Sequence, residues 1–223
     1  MRFRAIALDY DETLATNSTA DANALAALRR LKETGRKLIL ITGRELNSLR
    51  EVFSEFTIFD RMVLENGALL YQPATEVEQV LCEPVPENFV VELRRQKVSP
   101  LSVGRCIVAS RSQHESLVLK TIRELRLRLD LISNRESIMV LPRGVNKGSG
   151  FSAALASLGL AAGSVLGIGD AENDHDFLTL CGFQVAVANA IPALKRRVNR
   201  VTEGSCGAGV VEAVQHILNT DPL

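Results

Sequence analysis

Two apolar runs near the start of the chain, Phe3–Leu8 and Lys37–Ile41, bracket a stretch in which Leu25, Leu28 and Leu31 recur at helical spacing. A short, continuously apolar run reads as a strand buried on both faces. Strand, helix, strand at this spacing predicts neighbouring parallel strands joined by a crossover helix. The helix is expected over residues 20–34, with Gly35 placed to cap it. Each strand empties into polar residues: Asp9-Tyr10-Asp11-Glu12-Thr13 after the first, and Thr42-Gly43-Arg44 after the second. A short helix from about Glu45 to Phe56 follows.

The pattern changes beyond Phe59. Met62-Val63-Leu64 and Ala68-Leu69-Leu70-Tyr71 flank Glu65-Asn66-Gly67, and Asn-Gly between apolar runs signals a hairpin. Pro73, Pro84, Pro86 and Pro100 then punctuate a less regular region. It is expected to hold a helix near 87–97, a strand near 105–109, a helix from Ser112 to about Leu127, and strands near 129–133 and 137–141. In the second helix Leu117, Leu119, Ile122, Leu125 and Leu127 form the predicted packing face. From Lys147 the strand–helix alternation resumes, with a helix near 148–158 and a buried strand Ser164–Ile168 ending at Gly169-Asp170. A strand over Phe183–Val187 and helices near 191–199 and 208–219 complete it. The expected architecture is α/β: a Rossmann-like, doubly wound parallel-sheet core made of residues 1–79 and 146–223, interrupted by a smaller α+β unit over 80–145.

The 223 residues suffice for such a core plus an insertion. Lys+Arg and Asp+Glu both number 26, so no global field attracts nucleic acid or an anionic membrane, and the absence of Trp weakens a base-stacking role. The four cysteines (Cys82, Cys106, Cys181, Cys206) are scattered without a C-x-x-C pair, which argues against a disulfide framework or structural zinc. The N-terminal apolar run is too brief for a signal peptide and no segment approaches a membrane span, so a cytoplasmic location is expected.

In an open parallel sheet the carboxyl ends of the strands line one crevice. Asp9, Asp11, Thr42, Gly43, Lys147, Asp170 and Asp174 all fall at such ends or at helix starts. Three carboxylates meeting one hydroxyl and one ammonium need a cation, and Mg²⁺, a hard ion that prefers oxygen ligands, complements them. His175 lies beside Asp174, but imidazole suits Mg²⁺ poorly and a bystander role is expected. Asp176 reads as a helix-start acid.

Taken in order, Asp9-Tyr10-Asp11-Glu12-Thr13, Thr42-Gly43-Arg44, Lys147 and Gly169-Asp170-Ala171-Glu172-Asn173-Asp174 resemble the four motifs of the haloacid dehalogenase superfamily. Glu65-Asn66-Gly67-Ala68 and the insertion between the second and third motifs resemble its branch with a type IIB cap. The resemblance implies a Mg²⁺-dependent phosphomonoester hydrolase acting on a small phosphorylated metabolite, a sugar phosphate or phosphoglycolate-like compound. It implies Asp9 as nucleophile, forming an aspartyl-phosphate, and Asp11 as general acid and base. Thr42, Gly43, Lys147 and Asn173 are implied as phosphate-binding, with Asp9, Asp11, Asp170 and Asp174 around the metal. Asp11 could reach the metal through its carboxylate or its backbone carbonyl. A phosphotransferase or phosphomutase on the same scaffold, and a weakly catalytic phospho-ligand-binding module of a larger protein, are the alternatives. The family usually has Gly after the second Asp where this chain has Glu12, a residue that disfavours the backbone conformations open to glycine. Arg94, Arg105, Arg111 and Arg143 of the insertion are candidates to meet a substrate's acidic group.

Overall fold

The computed structural model describes residues 2–221. Strand β1 (Ala5–Asp9) is buried along its whole length, and a two-stranded hairpin of β2 (Ala15–Thr16) and β3 (Thr19–Ala20) follows the acidic motif. Helix α1 (Ala22–Glu33) starts at Asp21, whose carboxylate accepts the Ala24 N–H, and buries Ala24, Leu25, Leu28 and Leu31. Gly35, at φ 83, takes the left-handed position just past its end. The core continues with β4 (Lys37–Ile41), α2 (Leu46–Val52), β5 (Arg61–Leu64), β6 (Leu69–Gln72) and β7 (Val77–Val80).

The insertion comprises α3 (Glu87–Arg95), β8 (Ser102–Val103), β9 (Val108–Arg111), α4 (Glu115–Glu124), β10 (Leu129–Asn134) and β11 (Ser137–Pro142). The chain then returns through α5 (Lys147–Leu158), β12 (Val165–Gly169), α6 (His175–Leu178), β13 (Phe183–Ala186), α7 (Pro192–Lys195), β14 (Arg200–Val201) and α8 (Cys206–Thr220).

The large sheet has the order β14-β13-β12-β1-β4-β5-β6-β7. It is parallel from β14 to β5, and β6 and β7 extend it antiparallel. Strand β1 pairs with β4 on one side and β12 on the other, so the strand order reverses at β1 and a crevice opens at its carboxyl end, where Asp9 stands. The smaller antiparallel sheet, in the order β10-β11-β9-β8, packs one face on α3 and α4 through Phe89, Val90, Leu93, Val118, Ile122 and Val140. On its other side Cys106, Ile107, Met139 and Leu141 meet Ala68 of the core.

The expected α/β core with a smaller α+β unit is what the chain forms, with local differences that have physical causes. Strand β7 was not anticipated: Val77 and Val80 are exposed, so the run lacks the apolar pattern of a buried strand, yet it adds an edge to β6. Val80, the first residue expected in the insertion, still pairs in this ladder with Leu69. The expected strand near 105–109 is shifted to Val108–Arg111. Helix α4 is shorter than predicted, ending before Arg126 at φ 53, and its buried residues are Val118, Thr121 and Ile122, while Leu119 lies exposed. The expected helix over 191–199 stops at Lys195, because the Asn199 carboxamide accepts the Gln184 N–H and turns the chain into β14.

The Asn-Gly hairpin forms between β5 and β6, through the four residues 65–68 instead of the three expected, with Glu65 at φ 48 and Asn66 at φ 54. Gly67, at φ 111, lies so close to the loop before α5 that an added Cβ would stand 1.9 Å from the Asn146 carbonyl oxygen. Gly67→Ala combines that clash with a disfavoured backbone and is expected to cost on the order of 3 kcal/mol, read as a lowered Tm in calorimetry. An unchanged Tm would show that the Asn146 loop moves freely away from the hairpin.

Candidate active site

Asp9 ends β1 and Lys147 begins α5. Asn146 caps that helix by accepting the Ser149 N–H, while the Ser149 hydroxyl accepts the Asn146 N–H. The cap fixes the first turn, which aims Lys147 across the sheet end. Its Nζ lies 2.5 Å from Asp9 Oδ1 and 2.6 Å from Asp174 Oδ1, and all three side chains are buried. The other Asp174 oxygen accepts the N–H groups of Asp170 and Ala171 at 2.8 and 3.0 Å, so one carboxylate both holds the ammonium and shapes the loop after β12. Asp170 projects into the same space and accepts the Thr13 hydroxyl at 3.1 Å.

Thr42 is buried at the end of β4, its hydroxyl accepting the Arg44 N–H at 3.1 Å, and Met139 of β11 lies over Gly43. Asn173 donates through Nδ2 to Asn66 Oδ1 at 3.0 Å, which leaves Asn173 Oδ1 and Asn66 Nδ2 buried without hydrogen-bond partners. Asp11 stands apart from the Asp9/Asp170/Asp174 group. Its two oxygens accept Nε and Nη2 of Arg44 at 2.8 and 2.7 Å, and Arg44 also donates to the Ser18 hydroxyl on the β2–β3 hairpin. His175 faces Arg197, its Nε2 3.0 Å from Nη1.

Two contacts of the site were missed from sequence. Arg44 belongs to a quoted motif, but nothing in the spacing pairs it with Asp11. Arg135, at the β10–β11 turn, reaches out of the insertion to place Nη2 2.5 Å from Asp170 Oδ2. The sequence marks a turn between two strands there, with no signal of what that turn touches. Of the insertion arginines singled out, Arg105 pairs with Glu78 and Arg111 with Glu136 instead.

The electrostatics call for a cation. Burial pushes the Asp9 carboxyl well above the usual carboxylate range; Lys147 opposes this, and Asp174 and Asp170 add to it. Asp170 is pushed up to about 6, by burial first and by Asp174 next, against Arg135. Burial pulls Lys147 down, but Asp174 and Asp9 more than offset it and hold the ammonium above its ordinary range. One ligand oxygen from each of Asp9, Asp170 and Asp174 lies within 4.8 Å of the others. An all-oxygen set with the orphaned Asn173 carbonyl nearby fits a hard divalent ion such as Mg²⁺. The described cysteines are free and contribute none of these ligands.

A family model described as haloacid dehalogenase-like hydrolase matches residues 6–96 and 96–214. Phosphoglycolate phosphatase 2 of Saccharolobus solfataricus is 30% identical, over 96% of this chain and 92% of its own. The phosphoglycolate phosphatase of Methanothermobacter thermautotrophicus is 29% identical, over 96% and 99%. Among solved structures, a Thermoplasma acidophilum protein superposes with TM-score 0.82 at 17% identity, covering 96% and 97% of the two chains. A HAD subclass IIB sugar phosphatase superposes with TM-score 0.78 at 18% identity, covering 96% and 98%. These two share the fold.

Two measurements follow from the geometry. Burial and Asp174 push Asp170 up to about 6, so a divalent ion bound there would compete with a proton as the pH falls. Affinity for Mg²⁺ in calorimetric titrations is therefore expected to fall as pH drops from 7 to 5, approaching roughly tenfold per unit. A flat profile would remove Asp170 from the ligand set. The second concerns Glu12, whose φ of 60 is the left-handed conformation that glycine takes without strain. Glu12→Gly is expected to stabilise the fold by about 1 kcal/mol, raising Tm by about 2–4 °C. A lower Tm would mean that contacts of the Glu12 side chain outweigh the backbone strain.

Proposed function

This chain belongs to the haloacid dehalogenase-like hydrolases and is a phosphatase, and we propose that it is a Mg²⁺-dependent phosphomonoesterase of small phosphorylated metabolites that works through an aspartyl-phosphate. The observation that carries this reading is the buried Lys147 bridging Asp9 and Asp174, with Asp170 beside them at the end of β1. A carboxylate so placed meets phosphorus from within the protein, out of competition with bulk water.

Asp9 is the proposed nucleophile. Its oxygen attacks phosphorus as the ester oxygen leaves, dividing one difficult displacement into two. Asp11, whose two oxygens accept from Arg44 in this structure, exchanges one of those bonds for a proton when substrate binds, delivers that proton to the departing alkoxide and then takes one from the water that cleaves the aspartyl-phosphate. Lys147 neutralises charge on Asp9 and the incoming phosphate, while the Thr42 hydroxyl, the Gly43 amide and the Asn173 carboxamide hold phosphoryl oxygens. Asn66 fixes the Asn173 amide from behind. Asp9, Asp170 and Asp174 would hold Mg²⁺, with Asp11 adding its carboxylate or backbone carbonyl. The ion supplies the positive charge that lets an anionic carboxylate approach a dianionic phosphate.

Residues 80–145 act in this reading as a cap that excludes water and selects the leaving group. Met139 over Gly43 and Arg135 against Asp170 support it. The two archaeal phosphoglycolate phosphatases support a small substrate, and the subclass IIB sugar phosphatase, alike in fold, is compatible with a sugar phosphate. No helix among the described residues is long and apolar enough to cross a membrane, and free cysteines agree with the proposed cytoplasmic location.

With Mg²⁺ the protein is expected to release inorganic phosphate from phosphomonoesters, and EDTA to stop it. Asp9→Asn keeps the shape of the site and loses the nucleophile, so kcat is expected to fall roughly a thousandfold or more. Phosphate release by the variant at near wild-type rate would overturn the assignment.

A further inference from the structure

Arg135 occupies a two-residue turn, Arg135-Glu136, between the last pair of the β10–β11 ladder, Asn134 and Ser137. Its φ of 53 bends the chain there, and its backbone N–H reaches Glu172 Oε2 at 3.4 Å while its guanidinium reaches Asp170. The hairpin tip is thus laid against the loop that follows β12. Among the described ion pairs, this is the one that joins the insertion to a carboxylate of the site. Arg95, Arg105 and Arg111 are matched instead with Glu92, Glu78 and Glu136, away from it.

The surroundings of Arg135 are acidic. Glu12 and Glu172 act on its charge along with Asp170, and Asp11 is already matched by Arg44. On the side of the site facing the insertion, a substrate bearing a second anion would meet repulsion from Glu12 and Glu172. Arg135 is the cation that reverses this. Nη2 makes its bond to Asp170, and the side chain remains 43% exposed, so the guanidinium is accessible to a ligand as well as to Asp170. A planar fork engages a carboxylate through two N–H groups, which a point charge does not.

We infer that Arg135 binds a carboxylate on the leaving group, selecting phosphate esters of short hydroxy acids over those of uncharged alcohols. This rests on the phosphomonoesterase reading of the site. A single carboxylate, Asp170, stands between the guanidinium and the rest of the Asp9/Asp170/Asp174 group, so the carbon chain linking phosphate to the second anion must be short. A long sugar phosphate carries no charge to meet Arg135.

The test uses binding without turnover. In an Asp9→Asn background with Mg²⁺, affinities for 2-phosphoglycolate and for ethyl phosphate, which lacks the carboxylate, are measured by calorimetry. Adding Arg135→Ala is expected to lower the phosphoglycolate-to-ethyl-phosphate affinity ratio by about 10–100-fold, and Arg135→Lys to restore part of it. In the enzyme with Asp9 intact, the ratio of kcat/KM values should move the same way, mainly through KM. A ratio unchanged in Arg135→Ala overturns the inference and leaves Arg135 as a counter-ion to Asp170 whose removal moves both esters alike. Failure of wild-type protein to release phosphate from either ester overturns the phosphatase mechanism instead, and the binding ratio still decides the role of Arg135. Absence of phosphoglycolate binding to Asp9→Asn together with absence of turnover by the wild-type protein overturns both.

Discussion

A buried ammonium held between two buried carboxylates organises this molecule. Lys147, Asp9 and Asp174 come from α5, β1 and the loop after β12, and each is removed from water. Such a group is costly to desolvate, and removing one partner from a buried pair typically costs about 3–5 kcal/mol because the other charge is stranded. The fold tolerates it by satisfying the remaining oxygens: Asp174 accepts two backbone N–H groups, so the loop cannot shift without breaking three bonds. The cluster therefore specifies where β1, α5 and the last motif sit relative to each other, more than it adds stability.

Close backbone approach is the second constraint. Gly150 of α5 faces Val63 and Gly67 with no room for a Cβ, and Gly169 faces the Asp174 side chain at 2.7 Å. Gly150 lets α5 settle onto the β5–β6 connection, and Gly169 leaves room for the Asp174 side chain. That connection also carries Glu65, whose buried carboxylate accepts the N–H groups of Arg105 and Cys106 at 3.0 and 2.8 Å. One four-residue turn thus touches both the helix that supplies Lys147 and the base of the inserted sheet.

The α/β core was legible because its signals are local. Ala5–Leu8 and Leu38–Ile41 can only be buried strands, and polar residues at their carboxyl ends fall into one crevice once the strands are parallel. Asp9, Asp170, Asp174 and Lys147 emerged from that rule together. What stayed hidden depends on partners remote in sequence. Strand β7 is exposed and exists because β6 offers it an edge; β14 exists because Asn199 turns the chain. Glu12 was visible as an oddity, but its left-handed backbone comes from the β2–β3 hairpin folding back, with the Glu12 N–H donating to the Ala15 carbonyl. Arg135 lies on an unremarkable polar turn, and only the placement of the whole insertion tells which core residue it meets.

The chain order of the cluster bears on how the protein is made. Asp9 and Lys147 are 138 positions apart, and Thr13 and Asp170 157 apart, with the entire insertion between. Contacts of such separation form late, after intervening chain has collapsed. During synthesis the first strand and Asp9 leave the ribosome long before Lys147, so β1 waits without its neighbour β12 on one side. The nascent N-terminal half is accordingly a half-sheet with an open hydrophobic edge and no working site. Only the last third of the chain closes the sheet and makes the charge cluster whole.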